Sequence, residues 1–472
     1  MLSLLAAATL LPAQQAKIWS LTECLEHARS TNIPLLQAQL ATARMGTLLD
    51  QARAARLPNL NAGVGFGSNF GYAINPFTNE FSSSGNQNLN GGIQSSVTLY
   101  NGNAISNGIR QAEINDRGAE LDVQQAEYDL VLNVALAYLD ILRLGELAQS
   151  AQLQLNSTRE QRDRTNKLVE AGILARADLY QLDAQVATDE LAVVNAENQL
   201  ETAHLTLMQI MRLDPGQPFG VQRIDVEVPD NDIFEQSMTE IYKQALNTQP
   251  SIQSAELGIR SAELGEKIAQ ASFLPSVTAS GSIGTGWASG RSRFAGQTTV
   301  ADTQSVSVSL NGSEFQSLAL ATTFPVNQFE DYPFVDQLSD NLNASVNVSL
   351  NIPIYNRHRN TTGLQLAEIQ RRQAELLAEQ QRLVLEQTIQ QAYVSARSAY
   401  GSYQATLRQL SALELTYTNT EKQYNLGVVN SVDFLLAKNN FERARNDLVR
   451  TKYDYIFRAK VLDFYMGKPL GL

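Results

Sequence analysis

The fold is decided by two stretches of sequence, Leu57-Pro-Asn-Leu-Asn-Ala-Gly-Val-Gly-Phe66 and Leu274-Pro-Ser-Val-Thr-Ala-Ser-Gly-Ser-Ile283. In each, a Leu-Pro step ends a helical pattern, because proline cannot continue a helix. Apolar residues then alternate with Asn, Ser, Thr and Gly, which is the two-residue period of a β-strand. The same transition from helix to strand is therefore predicted twice in one chain.

These stretches belong to an internal repeat. Residues 20–66 resemble residues 237–283, and further along the chain the matching residues are separated by a constant 255 positions. Tyr100 then corresponds to Tyr355, and Gly172 corresponds to Gly427. An ungapped correspondence of this length indicates rigid elements of fixed length. We therefore divide the chain into a first repeat (16–213), a Pro-rich linker (214–236) and a second repeat (237–472).

Each repeat has the same predicted order of elements. A helix (20–56 and 237–273) is followed by strand segments (58–100 and 275–354), a very long helix (103–170 and 358–425) and a final helix (176–212 and 431–466). The long helices would each extend about 100 Å at ~1.5 Å per residue. Gly172 and Gly427 are the expected breaks before the final helices, because glycine readily adopts the positive φ that ends a helix.

The final helices carry a seven-residue apolar repeat. In the first repeat it consists of Leu179, Val186, Val193, Leu200 and Leu207, and in the second of Phe434, Phe441, Leu448, Tyr455 and Leu462. A sustained heptad predicts helices that supercoil against neighbours. The other positions are rich in Gln, Asn, Glu, Arg and Thr, which predicts wetted faces. Two interpretations remain open here, a soluble coiled coil and a wall of helices around a watery lumen.

Four segments show alternating apolar and polar residues, near 60–66, 93–99, 277–283 and 342–352. Such dyads are typical of outer-membrane β-barrels, although a half-buried soluble sheet is the alternative. The polar positions are nearly all Ser, Thr, Asn, Gln and Gly, which favours a water-filled lumen. A barrel needs at least about eight strands, so one chain cannot close it and three chains would supply twelve. Residues 67–92 and 284–340 are predicted to be extracellular loops.

Composition excludes several classes of function. The 472 residues carry a formal net charge of −12, so nothing favours nucleic-acid binding. Beyond the N-terminus we find no run of 18 uncharged apolar residues, which argues against a helical membrane span. One cysteine and three distant histidines supply neither a disulfide nor a metal centre. We therefore expect no enzyme activity and no cofactor. Residues 1–15 are predicted to be a signal peptide, cleaved near Ala13.

The chain resembles the TolC-like outer-membrane factors, the exit ducts of bacterial efflux pumps and type I secretion systems. The resemblance covers essentially the whole mature chain. It rests on the paired Leu-Pro steps and on two turn motifs, Gly172-Ile-Leu-Ala-Arg-Ala-Asp178 and Gly427-Val-Val-Asn-Ser-Val-Asp433.

The resemblance implies a mainly α fold with a membrane β-barrel. A homotrimer would form a twelve-strand barrel in the outer membrane above a helical tunnel through the periplasm. The linker 214–236 would belong to an equatorial belt. Such a duct gives passive exit to the substrates of an inner-membrane pump of the RND or ABC type. The other implied partners are a periplasmic adaptor protein and outer-membrane lipid, with no nucleic acid.

The resemblance also implies roles for residues near the two glycine turns. The periplasmic tip that contacts the adaptor would consist of Gly172, Ile173, Leu174, Gly427, Val428 and Val429. The gate would consist of Asp178, Tyr424, Asp433 and Leu436, with Asp178 and Tyr424 tying helices shut. The match is incomplete, because Leu436 replaces a second acidic residue and Val429 replaces an arginine of the family pattern.

The gate residues could have purely structural roles, and the chain could have another function. Asp178 and Asp433 lie in the first turn of a helix, where a carboxylate is favourable without any gating role. Tyr424 could simply pack on a neighbouring helix. The alternative function is a structural periplasmic coiled-coil scaffold without a pore, for which the strand segments would have no use. A secreted enzyme is the third possibility, but no catalytic motif supports it.

Overall fold

The structure is a computed structural model that describes residues 17–71, 73–74, 81–82, 86–224, 226–229, 234–306, 309–310, 313–314 and 318–468. The predicted signal peptide lies outside these residues. The chain divides into two compact units. The helical unit comprises the described residues within Met1–Asp50, Ile109–Glu266 and Gln365–Leu472, and the strand unit those within Gln51–Gly108 and Lys267–Leu364. Both units draw on both repeats, so the division into repeats stays a prediction from sequence.

Nine helices lie within the described residues. They are α1 (Leu21–Thr31), α2 (Ile33–Ala54), α3 (Ala104–Glu170), α4 (Arg176–Met211), α5 (Met238–Thr248), α6 (Pro250–Ala271), α7 (Phe334–Asp340), α8 (Arg359–Asn425) and α9 (Ser431–Tyr465). Helices α3 and α8 each have 67 residues, or about 100 Å at ~1.5 Å per residue. The bounds of α3, α4, α8 and α9 lie within one residue of the predicted ones. In the described part of the chain, no helix is both long enough and apolar enough to cross a membrane.

The helices predicted over 20–56 and 237–273 are each two helices. They break at Asn32 and Gln249, whose backbones are extended. A proline follows one or two residues later, and its clash with the preceding turn disfavours a continuous helix. The first short helix of each pair begins with the same capping box, in which Ser20 pairs with Glu23 and Ser237 with Glu240. Hydrogen bonds from each serine lower the pKa of its glutamate.

Twelve strands lie within the described residues. They are β1 (Lys17–Trp19), β2 (Asn59–Asn69), β3 (Ala73–Ile74), β4 (Phe81–Ser82), β5 (Asn86–Tyr100), β6 (Phe219–Val221), β7 (Ser276–Ala288), β8 (Ser292–Val306), β9 (Ser309–Leu310), β10 (Ser313–Glu314), β11 (Leu318–Asp331) and β12 (Asn343–Asn351). The four predicted alternating segments are β2, β5, β7 and β12, and they form one antiparallel sheet in the order β12-β7-β5-β2.

The register of this sheet separates an apolar face from a polar one. One row that crosses all four strands is apolar and consists of Ala62, Ile93, Ile283 and Ala344. The neighbouring row points to the other face and consists of Asn61, Gln94, Ser282 and Ser345. In the polar row the hydroxyls of Ser282 and Ser345 are hydrogen bonded at 2.9 Å. Apolar side chains such as Val64 and Val346 are 80% and 85% exposed in the protomer.

The predicted loop 284–340 is not a plain loop. Strands β8 and β11 form a long antiparallel ribbon within it, with Val300 opposite Phe324. The Phe294 and Phe329 rings also meet edge to face, with centroids 6.2 Å apart. The Gly, Ser and Asn content of this segment indicated a loop, but its β-branched and aromatic residues stabilise paired strands. Ten of the 26 residues of the other predicted loop, 67–92, lie outside the described residues; within the rest, β3 pairs with β4 and β5 already begins at Asn86.

The helical unit holds two hydrophobic clusters. The larger one surrounds Tyr138, which is fully buried and donates a hydrogen bond to the carbonyl oxygen of Gln222 in the linker at 2.6 Å. Strand β6 of the linker pairs in parallel with β1. Cys24 belongs to this cluster and is fully buried, where it behaves as a small apolar core residue. Burial raises the pKa of its thiol to about 12.

Candidate gate and tip

The two glycine turns have the same backbone geometry. Gly172 has φ 74° and Gly427 has φ 73°. In the first turn the Gly172 N–H donates to Val169 O at 3.0 Å and the Ile173 N–H to Leu168 O at 2.9 Å. The second turn repeats this pair of bonds, from Gly427 to Tyr424 and from Val428 to Gln423, at 2.9 Å each. This is the Schellman motif, which requires a residue with positive φ and therefore favours glycine.

Both turns present apolar side chains to solvent. Ile173 is 67% exposed and Val428 is 70% exposed, whereas Leu174 and Val429 are half-buried. A Cβ atom added to Gly172 or Gly427 would meet no other atom within 4 Å in the protomer. The space above both glycines is therefore open, and an apolar partner could approach the backbone there.

Asp178 lies in the first turn of α4 and contacts α9. Its Oδ1 lies 2.5 Å from the Ser431 hydroxyl, which also lies 2.8 Å from Gln181 Oε1. Ser431 is the first residue of α9 and is 3% exposed. Charge-assisted hydrogen bonds of this kind are roughly twice as strong as neutral ones. Asp178 thus links the start of one final helix to the start of the other, and we call this contact the latch.

The structure does not join Asp178 to Tyr424 as predicted, because each has another partner. The ring of Tyr424 is buried and stacks on Phe434, with centroids 4.7 Å apart and planes 17° apart. Its hydroxyl lies 3.4 Å from Thr165 Oγ1 on α3. No hydrogen bond between Asp178 and Tyr424 occurs among the described residues. Tyr424 therefore packs α8 against α9 and α3, while Ser431 is the partner of Asp178.

Asp433 and Leu436 lie on the exposed side of α9. The side chain of Asn430 caps this helix by accepting a hydrogen bond from the Asp433 N–H at 2.9 Å. Within the described part of the protomer, the Asp433 carboxylate forms no ion pair or hydrogen bond. Leu436 is 60% exposed. The two aspartates that occupy equivalent positions in the repeats therefore have different surroundings.

A buried polar cluster lies about two turns further from the tip, and the sequence had not indicated it. Lys438 is 2% exposed and its Nζ donates to Thr158 Oγ1 at 2.8 Å. Thr158 in turn donates to Asp189 Oδ2 at 2.5 Å. Glu442, one turn beyond Lys438, has a buried Oε2 without a hydrogen-bond partner, and its nearest cation is Arg445 at 4.0 Å.

Burial dominates the electrostatics of this cluster. It lowers the pKa of Lys438, although the carboxylates of Asp189 and Glu442 oppose the change. It raises the pKa of Glu442, although Arg445 and Lys438 oppose that change. A sequence signal exists in retrospect, because Asp189 lies seven residues after Leu182 and seven before Ala196, at an otherwise apolar heptad position of α4. No cluster of metal-ligating side chains occurs in the described part of the chain.

Comparisons with known proteins agree with this architecture. The model of the outer membrane efflux protein family matches residues 24–211 and 335–468. The outer membrane efflux protein BepC of Brucella suis is 21% identical over 462 residues, which cover 98% of this chain and 88% of BepC. The outer membrane protein TolC of Escherichia coli is 22% identical over 450 residues, which cover 95% of this chain and 82% of TolC.

Solved structures show the same fold. CusC superimposes with a TM-score of 0.75 at 18% identity and covers 97% of this chain, which in turn covers 96% of CusC. VceC of Vibrio cholerae also has a TM-score of 0.75, at 14% identity, with 96% of this chain and 97% of VceC covered. The fold is thus that of the TolC-like channels, a helical part joined to membrane β-strands. Because the family model matches both repeats, the chain belongs to the outer membrane efflux protein family, whose members are outer-membrane channels.

Proposed function

We propose that this chain is the outer-membrane exit duct of a tripartite export system and works as a homotrimer. In this proposal it gives passive exit to substrates that an inner-membrane pump, of the RND or ABC type, delivers through a periplasmic adaptor protein. Membership of the family supports an outer-membrane channel. What we propose beyond this is the trimer and its association with an adaptor and a pump.

The main support for the proposal is that the four-stranded sheet of the strand unit is not closed within one chain. Strands β2 and β12 each have one paired neighbour among the described strands, so each leaves one edge open. The apolar face of the sheet is exposed, and lipid tolerates no unpaired backbone groups. Because directions alternate along the sheet, β2 of one chain would run antiparallel to β12 of the next. Three copies would give a closed barrel of twelve strands.

The polar face supports an aqueous lumen. It carries Asn, Gln, Ser and Thr side chains and glycines. These residues are uncharged and can be solvated by water, so a lumen that they line would not select ions by charge. A pore-free scaffold would have no use for a sheet with one lipid-compatible face and one wetted face. The exposed apolar residues at the two tips support a contact with the adaptor, and the latch supports a closed resting entrance.

Cross-linking between β-strands tests the trimer directly. In a Cys24→Ser background, Val64→Cys on β2 is combined in turn with a cysteine at each outward-facing position of β12, namely Ala344, Val346, Val348 and Leu350. We expect at least one pair to give oxidation-dependent dimers and trimers on denaturing gels. Val64→Cys with Ile283→Cys, on the internal strand β7, is the matched control and should give neither.

Native mass spectrometry of the purified protein in detergent provides the second measurement. The expected mass is that of three chains. A stable single chain with intact strands by circular dichroism, and no cross-linked species with any β12 cysteine, would overturn the proposal.

A further inference from the structure

We infer that the segment between β12 and α8 binds an anionic phospholipid of the inner leaflet of the outer membrane. The connection runs from Ile352 to His358, and we call it, together with Arg359 at the start of α8, the rim segment. It begins where the last barrel strand ends and leads directly into a long helix of the periplasmic part. This inference rests on the proposed function: in the proposed duct the strand ends that lead into the helices would face the periplasm, which would put the rim segment at the depth of the lipid headgroups.

The first half of the rim segment is apolar and exposed. Ile352 is 57% exposed, Ile354 is 94% exposed and Tyr355 is 77% exposed. In the protomer these side chains line a groove of about 700 Å³ together with Ile268, Leu274, Arg359 and several Asn and Ser side chains. Aliphatic and aromatic residues at this depth are typical of the membrane interface, where tyrosine sits among the headgroups. The groove can hold part of an acyl chain beside a cation.

The second half of the rim segment is basic. Arg357, His358 and Arg359 are consecutive and exposed, in a chain whose net charge is −12. Their side chains form no ion pair or hydrogen bond with a carboxylate among the described residues. His358 instead contacts the Tyr355 ring edge to face, with centroids 6.2 Å apart. The unpaired guanidinium groups of Arg357 and Arg359, beside an exposed and partly apolar groove, complement a phosphate that carries an acyl chain.

The first repeat provides a natural comparison at the same place. Its corresponding residues are Gly102, Asn103 and Ala104, which carry no charge. The backbone is the same in both repeats, with φ 64° and 68° at Gly102 and Asn103 and φ 57° and 62° at Arg357 and His358. Glycine and asparagine adopt this left-handed conformation readily, whereas arginine and histidine do so at a cost. The second repeat therefore carries an arginine and a histidine at positions where the backbone favours neither.

Lipid retention by the purified protein tests the inference. The test variant combines Arg357→Gly, His358→Asn and Arg359→Ala, which gives the second repeat the sequence of the first. The variant relieves backbone strain, so its melting temperature should equal or exceed that of the unchanged protein. Arg372→Ala with Arg408→Ala removes two exposed arginines from α8 and is the control for charge.

The readout is native mass spectrometry in detergent with added phosphatidylglycerol or phosphatidylethanolamine. We expect the unchanged protein and the control to retain phosphatidylglycerol. The amount retained by the test variant should be lower by a factor of roughly ten or more, since each basic residue adds to the affinity for an anionic headgroup. Retention of phosphatidylethanolamine should be the same in all three. The mass of the bare protein reports the trimer separately, so failure of the proposed function would be visible on its own.

Two results would overturn the inference. One is equal retention of phosphatidylglycerol by the test variant and the unchanged protein. The other is that the unchanged protein retains phosphatidylglycerol no better than phosphatidylethanolamine. The same result is expected if a neighbouring chain covers the groove, because neither lipid could then enter it.

Discussion

The two hairpins at the tip of the helical unit share a backbone and differ in their side-chain contacts. Both turns carry a glycine with φ near 74° and the same two hydrogen bonds. Yet the aspartate that follows the turn is bonded to Ser431 in the first repeat and forms no such bond in the second, among the residues described. The caps differ as well, since Asn430 caps α9 with its side chain and Ala175 cannot cap α4.

The same asymmetry continues along the helices. Lys438 of the second repeat is buried, whereas the corresponding Asp183 of the first is exposed and paired with Arg162 at 2.9 Å. The comparison teaches that the backbone of the turn was retained in both copies while the side chains took different roles. The first repeat supplies a contact that joins the two final helices, and the second leaves its aspartate carboxylate without a partner among the described residues.

The largest effect is expected at the shared feature, the tip glycines. Replacing Gly427 by Val should abolish export, because a β-branched residue resists positive φ and the added side chain fills the open space above the turn. Gly427→Asn is the matched variant, since asparagine tolerates positive φ but still adds a side chain. If the adaptor needs close access to the backbone, both variants fail in an export assay while trimers remain in the membrane. Normal export by the asparagine variant would limit the glycine to a role in the turn.

The next effect is expected at the latch. Ser431→Ala removes the hydroxyl bonded to Asp178, a loss of about 1.5–3 kcal/mol for a bond to a charged group. We expect a several-fold higher conductance in planar bilayers, because the two final helices are then freer to separate. Tyr424→Phe is the control, since it loses only the long contact to Thr165 and keeps the stack on Phe434. A larger effect from Tyr424→Phe than from Ser431→Ala would place the latch at the tyrosine.

A smaller effect is expected from the buried charges of the second repeat. The folded state raises the pKa of Glu442, so ionisation destabilises folding as the pH rises above the pKa of the unfolded chain. Glu442→Gln should therefore raise the free energy of unfolding by on the order of 1 kcal/mol at pH 8, since it removes a buried negative charge whose desolvation outweighs its attraction to Arg445 and Lys438. The gain should disappear as the pH falls towards the ordinary pKa of glutamate.

Denaturant titration at several pH values measures this gain. Asp183→Asn is the control, because this exposed, paired carboxylate should change stability little at any pH. A gain for Glu442→Gln that persists at low pH would assign the effect to packing and exclude ionisation as its cause.

Much of the fold could be predicted because its signals are local and periodic. The repeat, the heptads and the alternation of polar and apolar residues placed α3 and α8 within one residue of their bounds and identified the strands of the sheet. The ribbon of β8 and β11 was missed, since small polar residues there resemble a loop. The breaks at Asn32 and Gln249 were missed because the helical pattern continues on both sides of them.

The candidate site was less predictable, because its contacts join residues distant in the sequence. Asp178 was identified from the resemblance, but its partner Ser431 lies 253 residues away, and nothing in the second turn motif marks this serine as the partner. The same is true of Lys438 and Thr158. Periodicity locates a residue on a helix, whereas the partner on the next helix depends on the register between the two.

The most direct test of the account compares Asp178→Ala with Asp433→Ala by ion-selectivity and conductance recording in planar bilayers. In the proposed trimer, three Asp433 carboxylates would surround the entrance and attract cations. We predict that Asp433→Ala lowers the preference for cations while the conductance stays low. Asp178→Ala should instead raise the conductance while the preference for cations is unchanged. If Asp433→Ala leaves ion selectivity unchanged, or if both variants behave alike, the two aspartates do not have separate roles and the account is contradicted.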